Sequence, residues 1–120
     1  MTGSVCVMLI FVNEADLWFD APLYEAIVKR LRELGLAGAT AHAGLMGFGH
    51  HHLVHEKGIF GMSADRPVTI TVVDTELRIR ETLAEVRTFV REGLVLLLRA
   101  EQVPLLDDPT NIESPKGGSL

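Results

Sequence analysis

The chain has 120 residues, 48% of them hydrophobic, which suits one domain with a core of ordinary size. Its formal net charge of −5 argues against a nucleic-acid surface, because neutralising phosphates takes clustered Lys and Arg. The single cysteine, Cys6, excludes an internal disulfide framework and fits a reducing compartment.

Val5 to Val12 (VCVMLIFV) is an unbroken apolar run, rich in β-branched residues and bounded by Ser4 and Asn13. It predicts a strand buried on both faces, since a half-exposed strand alternates. The run is about half the length of a membrane span, and no basic segment precedes it. A soluble, cytoplasmic protein without membrane insertion is expected. Asn13 to Asp20 (NEADLWFD) reads as a polar connection carrying two aromatics, Trp18 and Phe19. Asp20 or Ala21 should open a helix with Pro22 in its first turn. Leu23, Ala26, Ile27, Leu31 and Leu34 then recur at helical spacing, and Gly35 suits the position just past the helix end.

From Ala37 to Phe48 alanines alternate with small and polar residues between glycines. The glycines disfavour a helix, and a strand is expected near Ala39 to Leu45. Gly49 to Arg66 has no clean period. A connection of that length in a short chain is usually functional or mobile. Pro67 to Asp74 (PVTITVVD) is the clearest strand, with Pro67 allowed at its start. Asp74 or Thr75 should cap a second helix whose apolar positions are Leu77, Ile79, Leu83, Val86, Phe89 and Val90, with Gly93 as its stop. Leu94 to Ala100 (LVLLLRA) predicts a fourth strand, again apolar on both faces. Residues 1–106 would form the domain. Asp107 to Leu120 has prolines, glycines and little to bury, and reads as a disordered tail.

The order is β-α-β-β-α-β, an α+β ferredoxin-like sandwich. Two helices cover one face of a four-stranded sheet, yet the first and fourth strands are apolar on both. Monomers rarely expose so large an apolar face. A closed homo-oligomer follows, either a trimer or a dimer.

Residues that could carry chemistry cluster between Gly44 and Pro67. The triplet Gly44, Gly47 and Gly49 is spaced G-x-x-G-x-G, which is not a dinucleotide fingerprint. The glycines serve either a tight turn or subunit contact, or an approach of ligand to backbone N–H groups. Four of the five histidines, His50, His51, His52 and His55, lie in the same stretch. Imidazole binds Zn2+ or Cu2+, but no cysteine is near and no H-E-x-x-H helix is present. Metal binding, ligand contact, pH-sensitive ordering and simple exposure all remain open for them. His42 reads as structural and Cys6 as core packing. Glu14, Asp16 and Trp18 could frame a pocket or form a capped surface connection. Arg91 suits a helix C-terminus and could also reach an anion on a neighbouring copy. No nucleophile–base or paired-carboxylate arrangement can be argued, so an enzyme is not expected.

Several blocks together resemble the DUF190 (UPF0166) family of the PII-like superfamily: Pro22-Leu-Tyr-Glu-Ala-Ile-Val28, Gly35-Leu-Ala-Gly-Ala-Thr40, Gly44-x-x-Gly-Phe-Gly49, His55, Ser63-x-Asp65-x-Pro67, Val73-Asp74 and Glu92-Gly-Leu-Val95. The resemblance spans roughly Val5 to Val103. It implies a PII-like homotrimer whose connection between the second and third strands, the T-loop (49–66 here), projects outward. It also implies small ligands, typically adenine nucleotides, in clefts between subunits. Ligand contacts carried onto this chain are Gly47, Phe48, Gly49, His50, His55, Arg91 and Gly93. The implied role is a signalling sensor that regulates a partner, such as a membrane transporter. The alternative is Zn or Cu binding through His50, His52 and His55, as in copper-tolerance relatives of the same architecture. The chain departs from the family where Asp20-Ala21 replaces a Gly-Lys pair, Glu56 a small polar residue after His55, and His50 to His52 small polar residues. Each change makes the implied pocket less cationic.

Overall fold

The computed structural model describes residues 4–47 and 65–106. Strand β1 (Ser4–Asn13) is followed by a two-stranded hairpin, β2 (Leu17–Trp18) and β3 (Ala21–Pro22), and then by helix α1 (Leu23–Glu33). Strand β4 (Ala39–Ala43), strand β5 (Pro67–Asp74), helices α2 (Glu76–Glu81) and α3 (Leu83–Phe89), and strand β6 (Leu94–Glu101) complete the order. The four long strands form one sheet ordered β4-β5-β1-β6, antiparallel throughout. Taken with its helices, this is a βαββαβ arrangement with the first strand in the interior of the sheet. The expected tail at 107–120, most of the 49–66 connection, and Phe48 lie outside the described residues.

Alternation decides which face each residue takes. Cys6, Met8, Ile10 and Val12 of β1 and Val68, Ile70 and Val72 of β5 point to the helix side. They meet Leu23, Ile27 and Leu31 of α1, Ile79 of α2 and Val86 of α3 in one buried cluster. Each such side chain contributes about 1.5–3 kcal/mol when fully buried. Arg30 of α1 donates to Glu85 of α3 at 2.9 Å and ties the two helical segments across the surface. The opposite face carries Val7, Leu9 and Phe11 of β1, Thr69, Thr71 and Val73 of β5, and Leu94, Leu96 and Leu98 of β6. Register aligns them in rows: Leu94, Phe11, Thr69 and His42; Leu96, Leu9, Thr71 and Thr40; Leu98, Val7 and Val73. No described element covers this face. Leu94, Leu96 and Leu98 stay 50%, 40% and 47% exposed. Cys6 is buried in the core and free, as expected.

Four features differ from the sequence reading. Helix α1 starts at Leu23, not at Asp20 or Ala21, and Pro22 stands at its cap with φ −60° and ψ 133°. The reason is the hairpin: Ala21 and Pro22 pair with Trp18 and Leu17, and the Leu23 N–H donates to the Asp16 carbonyl at 2.8 Å. Strand β4 stops at Ala43 rather than Leu45; the Gly44 N–H still donates in register to the Pro67 carbonyl at 2.6 Å, and β5 begins at Pro67, which leaves Leu45 no residue of β5 to pair with. The second helix is two segments. Its break is Thr82, buried, whose Oγ1 donates to the Ile79 carbonyl at 2.7 Å. Such a bond back to the preceding turn loosens the backbone ladder. Phe89 ends α3, so Gly93 lies in the turn before β6 rather than at the helix end.

Asp74 closes the end of the sheet where β5 finishes. Its carboxylate accepts the N–H groups of Ala37 at 2.8 Å and Thr75 at 2.6 Å, and Arg78 lies 3.3 Å away. Burial pushes this carboxyl up, but the Thr75 and Ala37 N–H groups and the Arg78 guanidinium outweigh it, leaving the net shift downward. Thr75 is the helix cap, its side chain accepting the Arg78 N–H.

Candidate functional site

The register brings several connections to the other end of the sheet. Asn13 pairs with Pro67, Ala43 with Val68, and Phe11 with Leu94. Residues 14–22, 44–47, 65–66 and 90–93 therefore emerge together. On the helix side of this end lies an open cleft of about 540 Å3, lined by the hairpin residues Asp16, Leu17, Trp18 and Phe19, by Leu23, and by Phe89, Arg91 and Glu92 from the second helix and its turn.

The hairpin is held in place from its root. Asp16 accepts the Asn13 N–H on its carboxylate at 2.9 Å, while its own N–H returns to the Asn13 carbonyl at 3.1 Å. Arg66 grips Glu14 through two bonds of 2.9 Å. The Glu14 N–H donates to the Arg66 carbonyl at 2.8 Å, and the Ala15 N–H to Asp65 Oδ1 at 3.4 Å. The hydrogen bonds from Arg66 hold the Glu14 carboxyl below its usual range, against a smaller upward push from burial.

Above this root the aromatic rings form a short array. Trp18 sits against Phe89 with ring centroids 4.5 Å apart and planes tilted by 47°. Phe19 meets Trp18 edge to face at 5.1 Å, a favoured geometry. Phe19 is 84% exposed and has a left-handed backbone, φ +57°. For a bulky residue that conformation costs about 1–2 kcal/mol. Arg91 reaches the same cleft from the turn before β6.

The structure separates the ligand residues read from the sequence. Arg91 is in the cleft. Gly93, two residues on, has a geometric requirement: its φ is +153°, and a Cβ there would lie 2.8 Å from the Phe11 carbonyl oxygen. Gly47 follows β4, at the opposite edge of the sheet from β6, with β5 and β1 between them. A Cβ at Gly47 would lie 3.4 Å from Pro67 Cγ, so Gly47 folds against the start of β5 while Arg91 precedes β6. Phe48, Gly49, His50, His52 and His55 lie outside the described residues. Gly44 is needed for close approach, because a Cβ would fall 2.9 Å from Pro67 Cγ. Asp16 and Trp18 line the cleft, whereas Glu14 serves the Arg66 clamp. His42 lies exposed on the open sheet face opposite Thr69. Phe19 and Phe89 are lining residues the sequence reading did not single out. The only local signal was the Trp18-Phe19 pair inside an otherwise polar connection.

Among the described residues no group of three or more His, Cys, Asp or Glu side chains is placed to hold a metal ion. None of their helices is long and apolar enough to cross a membrane.

The sheet order and its helical cover define a class of fold, the ferredoxin-like βαββαβ sandwich, and solved PII-like proteins share it. The solved nitrogen regulatory PII-like protein CPII of Thiomonas intermedia K12, with ADP, AMP and bicarbonate bound, superposes with a TM-score of 0.61 over 81% of this chain and 86% of that one at 19% identity. The same protein with ADP and bicarbonate gives a TM-score of 0.56 over the same shares. The model of the DUF190 family, described as "Uncharacterized ACR", matches residues 5–102, and the chain belongs to that family. It is 32% identical to a UPF0166 protein of Methanocaldococcus jannaschii over 92 residues, 76% of this chain and 84% of the relative. It is 27% identical to a UPF0166 protein of Aquifex aeolicus over 99 residues, 82% of this chain and 93% of the relative.

Proposed function

We propose that the protein is a non-enzymatic PII-like sensor. Copies close into a trimer through the open sheet face, and an adenine nucleotide binds in the clefts between them. The 49–66 segment then engages or releases a partner protein, such as a membrane transporter, in the cytoplasm. Gly47, Phe48, Gly49, His50, His55, Arg91 and Gly93 are the proposed contacts. The observation that carries this reading is the uncovered sheet face of Val7, Leu9, Phe11, Leu94, Leu96 and Leu98, which an assembly of copies would bury. The fold likeness to a PII-like protein holding ADP and AMP supports the choice of ligand class. Signalling then needs only a difference in nucleotide affinity between two states of the segment.

Calorimetric titration of the assembled protein with ATP, ADP, AMP and cyclic dinucleotides tests the reading. Saturable binding of an adenine nucleotide is expected. No heat at millimolar ligand rejects it. The metal alternative rests on His50, His52 and His55. Titration with Cu2+ or Zn2+, compared with the variant carrying Ala at all three, decides it: unchanged affinity removes those ligands.

A further inference from the structure

The cleft beside the hairpin has a composition that selects one kind of ligand. Its wall is an aromatic array ending in Phe19, one of whose faces is open to solvent. Its rim carries one guanidinium, Arg91, and two carboxylates, Asp16 and Glu92. Its volume of about 540 Å3 lies in the range of small-molecule sites. A flat ring fits the exposed face of Phe19, since stacking on an aromatic side chain needs only a free face and a rigid support. Trp18, pressed against Phe89 at 4.5 Å, supplies that support. Asp16 uses one acceptor position for the Asn13 N–H, and a carboxylate has capacity for further donors, such as an exocyclic amine. Arg91 suits one phosphate group. Arg91 is the only basic side chain among the described residues that line the cleft, so a polyphosphate chain finds no second cation there, and inorganic phosphate alone leaves the Phe19 face unused.

The backbone at Phe19 gives a second, independent pointer. A glycine or asparagine at φ +57° would serve the turn with less strain. A large, exposed phenylalanine is instead held there. Strain retained at an exposed residue that adds nothing to the core is a mark of a working site.

We infer that Trp18, Phe19, Asp16 and Arg91 form a site for an amine-bearing purine mononucleotide, with the base stacked on Phe19 and the single phosphate on Arg91. This rests on the sensor reading above and adds to it the residues that hold the base. It also sets a preference: AMP should bind about as well as ADP or ATP, because one guanidinium rewards one phosphate.

The test uses AMP and adenosine as probes on the full chain. Wild type should bind AMP more tightly than adenosine. Phe19→Gly should weaken AMP by about tenfold or more while raising the melting temperature, because the left-handed backbone is relieved. Phe19→Tyr should retain AMP affinity. Arg91→Gln should bring AMP down to the affinity of adenosine. If Phe19→Gly binds AMP as tightly as wild type, the inference is overturned and the sensor reading stands. If wild type binds no adenine nucleotide at all, both fall. An ATP affinity far above that of AMP would also overturn the one-phosphate assignment.

Discussion

Replacing Leu96 with Asp probes the open sheet face at its middle row, where Leu96 lies opposite Leu9. Leu94, Leu96 and Leu98 retain 50%, 40% and 47% of their surface. Covering those surfaces on assembly returns about 2–4 kcal/mol per copy from β6 alone. A carboxylate at position 96 removes part of that gain and adds the desolvation of an unpaired charge, several kcal/mol in an apolar contact. The dissociation constant should rise by at least about 100-fold, corresponding to about 2.7 kcal/mol. The core lies on the other face, so the single copy should keep its secondary structure by circular dichroism. Sedimentation velocity at micromolar concentration reads the outcome directly: wild type as a trimer of 13.2 kDa chains, Leu96→Asp as single chains. Leu77→Asp is the control, because Leu77 is 68% exposed on α2, away from the sheet face. Two results refute the reasoning: Leu96→Asp sedimenting like wild type, or wild type itself running as single chains at tens of micromolar.

Asp74 has a depressed folded-state pKa. Its stabilisation is therefore complete above the unfolded value and is lost as the pH falls through the folded one, below about pH 4. Asp74→Ala leaves the Ala37 and Thr75 N–H groups without their acceptor and should cost about 3 kcal/mol in urea denaturation at neutral pH. The loss should shrink toward pH 3; a pH-independent difference would show that charge is not involved. Gly93→Ala should lower the melting temperature, because the added Cβ meets the Phe11 carbonyl oxygen at 2.8 Å; an unchanged transition would contradict the turn described here. Glu14→Gln should weaken the Arg66 clamp and speed amide exchange at Glu14 and Ala15. The wild type should show the same loosening in acid, since Glu14 also has a lowered pKa. Equal protection in both proteins at neutral pH would leave the clamp without effect.

Much of the frame was readable from local pattern. Pro67 and Asp74 bracket β5 because one lacks a donor and the other carries acceptors, while the intervening Val, Ile and Thr alternate. Gly35, with φ +83°, ended α1 where helical spacing ran out. The unbroken apolar run at Val5 to Val12 announced a strand that needs both faces covered, and the structure leaves one of them open. What the pattern could not reveal depends on contacts distant in sequence. Strands of two residues, Leu17–Trp18 and Ala21–Pro22, have no period to detect, so the start of α1 was read too early. Thr82 stands at the break in the second helix with its hydroxyl buried against the Ile79 carbonyl, and burial of one threonine is not written in helical spacing. The candidate cleft joins Trp18 to Phe89 and Arg91, and nothing in the spacing of those residues signals that they meet.

The two ends of the sheet are built differently, and the contrast bears on how such a chain can change over generations. At the Asp74 end, a carboxylate and a guanidinium stitch loop, helix and strand together: Asp74 holds Ala37 and Thr75, and Arg78 donates to the carbonyls of Leu34 and Gly35. The opposite pole is fastened mainly at the root of the hairpin. Substitutions beyond that root can alter the shape and charge of the cleft while the stitched pole keeps the architecture standing. That division of labour lets the cleft vary without the scaffold being redesigned.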